Sequence, residues 1–213
     1  MEEKQKSAEQ QVTPQEKRSK AYENYLMLHD WAVLLAIVTI VFTFFLRIVG
    51  VVGSSMYPTL VNQDYLLLES NFLYREVKQG DIVVLNTPYF MDELKKGLIV
   101  KRVIAAGGQT VDIDFETGTV YVDGQALDEP YVNEPTWLYD PAVEYPLTVP
   151  ENSYFVMGDN RNRSSDSRTA ELGCVDKSCV LGKAIFILIP GRQTDMEGNV
   201  TGSRELSRFG VIR

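Results

Sequence analysis

Apolar residues fall into two regimes along this chain. From Trp31 to Leu46 there is no charge, and Val, Leu, Ile and Phe dominate. A run that is apolar all round predicts either a buried core helix or a membrane span. It is slightly short of the roughly 20 residues that cross a bilayer. Ile48 to Val52 can lengthen it, and Arg47 can snorkel toward the headgroups. The preceding stretch, Met1 to about Asn24, is rich in Glu, Gln, Lys and Ser and reads as a disordered tail. That polar flank favours the membrane reading.

Beyond Gly53 the apolar residues break into short runs, which predict strands over Tyr65–Leu68, Asp81–Leu85, Leu98–Ala106, Thr110–Phe115, Thr119–Val122, Ser153–Met157 and Val180–Ile189. Gly107-Gly108 and Asp123-Gly124 punctuate them, and Thr119 to Ala126, centred on Asp123-Gly124, predicts a hairpin. Asp128 to Pro150 is dense in Pro, Tyr and acidic residues and predicts an excursion from the core sheet. The expected fold is mainly β, an antiparallel sheet domain behind a single N-terminal transmembrane helix. The boundaries are a disordered tail over 1–29, an anchor helix over 30–49 and a β-rich domain over 50–213, with the excursion at about 107–150.

Charge sets the orientation and narrows the chemistry. Lys4, Lys6, Lys17, Arg18 and Lys20 precede the span, while Arg47 alone follows closely, so the tail is expected in the cytoplasm and the rest outside. A net charge of −8 speaks against a nucleic-acid partner. The single histidine, His29, lies on the tail side of the apolar run, away from most of the folded chain. A Ser-His-Asp triad or a histidine-based zinc site is therefore not expected, and neither a metal nor a cofactor is implied. Any nucleophilic catalysis must draw its base from Lys, Tyr, Asp or Glu. Two cysteines, Cys174 and Cys179, are present; they read as small buried residues or as a local disulfide.

Three segments carry candidate chemistry. Gly53-Ser54-Ser55-Met56-Tyr57-Pro58-Thr59-Leu60 places serines just past the apolar run, with Pro58 favouring a turn. Ser54 and Ser55 are both candidate nucleophiles, against the plainer reading of turn serines. In Val100-Lys101-Arg102-Val103, strand alternation puts Ile99, Lys101 and Val103 on one face and Arg102 on the other. An amine between apolar neighbours loses hydration, which lowers its pKa from about 10.4 and lets it act as a base. An exposed edge-strand lysine is the alternative. Lys95 and Lys96 read as solvated; Lys183, before the apolar run Ala184 to Pro190, is the competitor. The third segment is the charge-dense stretch from Gly158 to Arg168.

In this order the three segments resemble those of the bacterial type I signal peptidases, from the apolar run to the C-terminus. The resemblance implies a membrane-bound serine endopeptidase that removes signal peptides from exported preproteins with a Ser-Lys dyad. It places the nucleophile directly before Met56, at Ser55, and the general base at Lys101. Ser164, Asp166 and Arg168 match supporting residues: Ser164 would orient the lysine amine, and Asp166 and Arg168 would pair, with Arg102 as a further member. The implied oxyanion hole uses the Ser55 backbone N–H. Gly53 stands where some members carry a serine whose hydroxyl completes that hole, which leaves the second donor open. Asn162 and Arg163 stand where Asp-Asn is more usual, and the Cys174 to Cys179 segment also departs from the pattern.

The implied partners are signal-peptide-bearing preproteins and the lipid bilayer. Leu46 and Ser55 are nine residues apart, a reach of at most roughly 30 Å, so the serine is expected close to the membrane. A signal peptide is cut just past its own apolar segment. The small residues before that cut imply shallow apolar pockets beside an extended substrate. Two rivals stand beside this reading: a self-cleaving Ser-Lys protease of the repressor type, and a membrane-tethered β-domain without activity.

Overall fold

The computed structural model describes residues 14–70, 76–87 and 97–212. Helix α1 (Pro14–Ile40) passes into a π-helical turn over Val41–Phe45. The helix thus begins inside the stretch expected to be a disordered tail. Pro14 suits a first helical turn, and Gln15, Glu16, Lys17, Arg18 and Lys20 are strong helix formers despite their polarity, as is the apolar Ala21. Residues 1–13 of the expected tail, with Lys95 and Lys96, lie outside the described residues.

The other end of the expected anchor also moves. Leu46–Gly50 is not helical but forms strand β1, antiparallel to β2 (Tyr65–Glu69), with Arg47 opposite Leu68. β-branched Ile48 and Val49 suit a strand, and the ladder supplies the backbone partners that a continued helix would have supplied. The candidate span is therefore Tyr22–Phe45, 24 residues, within which an 18-residue window has a mean hydropathy of 2.0. At 1.5 Å per residue that length and composition suffice to cross a bilayer.

Residues up to Thr43 and those from Phe44 onward form two compact units. The second unit is built on strands β3 (Ile82–Asn86), β4 (Leu98–Ala106), β9 (Ser153–Met157), β10 (Val175–Asp176) and β11 (Val180–Ile189), together with β1 and β2. Their order is β1-β2-β11-β3-β4-β9-β10, and β14 (Gly210–Val211) adds to β11. The expected excursion holds a separate four-stranded sheet, β7-β6-β5-β8, formed by β5 (Thr110–Asp114), β6 (Thr119–Val122), β7 (Gln125–Ala126) and β8 (Leu147–Thr148). Its β6–β7 turn runs through Asp123 and Gly124, both at positive φ, the geometry that a tight two-residue hairpin requires. A hairpin of β12 (Arg192–Thr194) and β13 (Val200–Arg204) completes the unit.

Strand alternation sorts the core. Ile82, Val84, Leu66, Leu68, Met56 and Leu60 form one cluster, with Val100 packed on it. Val83, Leu85, Val103, Tyr154 and Val156 form another, with Ile99 packed on it. Each fully buried side chain of this size contributes about 1.5–3 kcal/mol. Successive residues of β3 and β4 therefore face different clusters, and register is held by burial on both faces.

Candidate active site

The loop between β1 and β2 carries Ser55 and is fastened from below and behind. Met56 and Leu60 are buried in the first cluster. Tyr57 N–H donates to the Ser54 carbonyl at 3.0 Å and Leu60 N–H to that of Met56 at 2.9 Å, so the segment after the serine is a tight turn. At the loop's far end the buried Asp64 carboxylate accepts from Val61 N (2.8 Å), Gly191 N (2.6 Å) and Arg208 Nη2 (2.8 Å). Arg208 Nη2 also donates to the Thr59 carbonyl at 2.9 Å.

Lys101 lies on β4 opposite Val83, with Ile99 and Val103 in the cluster on that face. The residue is 3% exposed, and Nζ donates to Ser55 Oγ at 2.8 Å. Lys183, the competitor, pairs instead with Asp81 at 2.7 Å on a partly exposed part of the sheet. Arg102, on the other face, donates through Nε and Nη2 to the two oxygens of Asp159 at 2.8 and 2.7 Å, while the Tyr131 ring covers its guanidinium at 3.8 Å. Thr59 Oγ1 donates to that same carboxylate. Arg102 therefore belongs to an Asp159 cluster and does not join Asp166 and Arg168 as expected; alternation along β4 sends it to the opposite face from Lys101.

The loop after β9 forms the facing wall. Asp166 is fully buried and accepts from Arg168 through two bonds of 2.8 Å and from Gly158 N at 2.9 Å. Burial alone would raise its carboxyl, but the Arg168 charge and hydrogen bonds, with Lys101 and the Gly158 N–H, hold it below the ordinary carboxylate value. Arg168 passes the restraint on by donating to the Arg161 carbonyl at 2.6 Å. Removing one partner of such a buried pair costs about 3–5 kcal/mol, since the other charge is stranded.

Ser164 departs from expectation. Its Oγ is buried with no hydrogen-bond partner among the described residues. It is turned onto Gly158, where an added Cβ would lie 2.3 Å from it and 2.4 Å from the Ser55 carbonyl oxygen. Gly53 sits at positive φ, and its N–H donates to Asn62 Oδ1 at 3.2 Å, so that amide is already engaged. No hydrogen bond engages the Ser55 N–H among the described residues.

Several site residues received no role from the sequence: Asp159, Asn160 and Arg161 of the turn after β9, and Glu129 of the excursion. Arg161 is buried and donates to Glu129 Oε2 at 2.8 Å and to Thr136 Oγ1 at 3.1 Å, which ties the excursion to the site wall. Their signal was the placing of Asp and Arg directly after an apolar strand, but charge density alone does not separate a buried network from a solvated turn. Cys174 and Cys179 are free thiols; burial pushes that of Cys174 up to about 11, which makes it a poor nucleophile.

Residues 25–189 match the profile of the family described as "Signal peptidase, peptidase S26". Among relatives, signal peptidase I of Bacillus licheniformis is 38% identical over 76% of this chain and 89% of its own. Signal peptidase I S of Bacillus subtilis is 37% identical over 75% of this chain and 84% of its own. Signal peptidase I T of the same species is 35% identical over 85% of this chain and 95% of its own.

Proposed function

Since this chain belongs to the S26 signal peptidases and is a signal peptidase I, we propose that Ser55 is its nucleophile and Lys101 its general base. The observation that carries this reading is the 2.8 Å contact between Lys101 Nζ and Ser55 Oγ, made by a lysine that is 3% exposed. Desolvation disfavours an ammonium group. Once neutral, the amine accepts the serine proton along the same line, and Oγ attacks the scissile carbonyl of the preprotein. The developing oxyanion takes the Ser55 N–H. Collapse of the tetrahedral intermediate releases the new amine, which takes the proton from Lys101 and leaves an acyl-enzyme. Water, deprotonated by the same lysine, hydrolyses that ester and frees the signal peptide. Asp166 and Arg168 hold the facing wall, on which Ser164 packs against Gly158, and Arg102 with Asp159 secures the strand and the loop behind the nucleophile. Incubating the detergent-solubilised protein with a preprotein and sequencing the new N-terminus tests the activity. A cut outside the end of the signal peptide, or no cut, would overturn it.

The base assignment sets the pH dependence. Activity should rise as pH climbs through the apparent pKa of Lys101, because the base works only when neutral. Ile99 packs on the cluster that lines this face of β4. An Ile99→Glu change puts an anion there, favours the ammonium form and should push the rising limb of the kcat/KM profile to higher pH. The check is the profile of both proteins over the same range; a limb that stays in place or moves down would exclude Lys101 as the titrating group.

The family is membrane-associated. For this chain we place Tyr22–Phe45 across the membrane, the residues before it in the cytoplasm and the domain beyond residue 50 outside, on the balance of Lys and Arg across that span. Protease added to intact protoplasts should digest the β-rich domain and spare the N-terminal segment. The reverse pattern would invert the topology.

A further inference from the structure

The oxyanion donor of this site needs a fixed direction, and one side chain outside the loop supplies it. Asn160 is buried in the turn after β9. Its Nδ2 donates to the Ser54 carbonyl at 3.0 Å and to the Met196 carbonyl at 2.9 Å, and its backbone N–H donates to the Ser55 carbonyl at 3.0 Å. Two carbonyl acceptors fix which end of the amide faces them, because only the NH2 group can serve both. The peptide bond is planar and trans, so the Ser54 carbonyl and the Ser55 N–H point in opposite directions within one rigid unit. Whatever holds that carbonyl also aims that N–H. The second bond, to the Ser55 carbonyl, holds the next peptide unit. Both units flanking the Ser55 Cα are therefore pinned by one residue. Tyr57 N–H also donates to the Ser54 carbonyl, but it belongs to the same turn and moves with it. Asn160 instead reaches the loop from the end of a fully buried strand.

We infer that Asn160 is a positioning residue that aims the Ser55 N–H at the developing oxyanion. This inference rests on the reading of Ser55 as nucleophile. It also assigns work to the β12–β13 hairpin. The turn of that hairpin supplies the Met196 carbonyl, and Gly198 there approaches Ser54, with an added Cβ only 3.3 Å from the Ser54 Cβ. Arg163 braces the turn through Glu197 at 2.8 Å. Asn160 is thus held on the side away from Ser54, so its amide cannot swing off the loop.

The test uses the full chain in detergent. In Asn160→Ala and Asn160→Asp proteins, kcat on a preprotein should fall about tenfold to a hundredfold, with KM within about twofold. This is somewhat less than the 10²–10³ loss when an oxyanion donor is removed outright. Asn160→Asp keeps the size of the side chain, loses the NH2 and sets a carboxylate against two carbonyls, so it should lose at least as much. A substrate-sequence peptide aldehyde, whose serine adduct carries the oxyanion, should lose affinity by the same factor as kcat. A purely structural residue would lower the melting temperature without this matched split between kcat and KM.

Two further measurements close the remaining routes. In the unaltered protein, amide exchange should find the Ser55 N–H unprotected until the aldehyde binds; protection in the free enzyme would overturn the inference even if neither variant folds. Ser55→Ala is assayed alongside. If it retains activity, the nucleophile is misassigned. If it is inactive while the Asn160 variants keep kcat, or lose kcat but keep aldehyde affinity, only the positioning role fails.

Discussion

Replacing Ser55 with alanine, or Lys101 with methionine or alanine, is expected to lower kcat/KM on a preprotein by about 10⁴–10⁶-fold, while the double variant falls no further than either single one. Residues that act on the same proton and the same bond are not additive, because losing one already disables the other. Methionine is the more informative replacement at 101. It keeps an unbranched stem in a site that is 3% exposed and beside Val83, and removes only the amine. Lys183→Ala serves as the control and should stay within about threefold of the parent, since Lys183 is paired with Asp81 away from Ser55. Single-turnover rates and a melting curve for each protein make the check. A Lys101 variant with near-normal turnover would move the base elsewhere.

Gly158→Ala should also be damaging without touching any reacting atom, with kcat falling about 10²-fold or more and a loss of about 1–3 kcal/mol in stability. The new methyl would sit 2.3 Å from Ser164 Oγ, 2.6 Å from Ser164 Cβ and 2.4 Å from the Ser55 carbonyl oxygen. Ser164 could turn aside. The Ser55 carbonyl cannot readily do so, because it is backbone and accepts from Asn160 N–H. The strain must then be relieved by moving Ser55 relative to Lys101. A displacement on the order of 1 Å is enough to cost 10²-fold in rate, and overpacking accounts for the stability loss. Adding Ser164→Ala to Gly158→Ala should recover little, because the closest backbone contact persists. Measured kcat, KM and melting temperature for the three proteins decide it; an active Gly158→Ala would mean that the wall has room to give.

Short apolar runs set off by Gly, Pro and Asx signals were the most legible part of the sequence. Leu98–Ala106, Thr119–Val122, Ser153–Met157 and Val180–Ile189 are strands over the residues expected. β1 was hidden because, apart from Arg47, it continues the apolar run of the helix, and its pairing with β2 is what distinguishes the two. Among the two-residue strands, β8, β10 and β14 are set by their neighbours, which local pattern cannot reveal. At the site, Ser55 and Lys101 stood out through motif and alternation, and the structure brings them into contact. The pairing of Arg102 with Asp159 was not legible, because a run of Asp and Arg looks the same whether water or protein surrounds it. Which arginine meets which carboxylate depends on the face each occupies and on the turn after β9.

The loop that bears Ser55 is fastened by Arg208, 144 residues beyond Asp64 in the chain. That separation has a consequence for the order of assembly. Contacts between residues so far apart in sequence form only after a large loop has closed. While the chain is still emerging, Ser55 and Lys101 are present long before the arginine that ties down Thr59 and Asp64. The Ser55 loop is then incompletely secured, however soon β3 and β4 pair. Full proteolytic competence should therefore appear late in biogenesis, only after residue 208 has been made and has folded back onto Asp64 and Thr59.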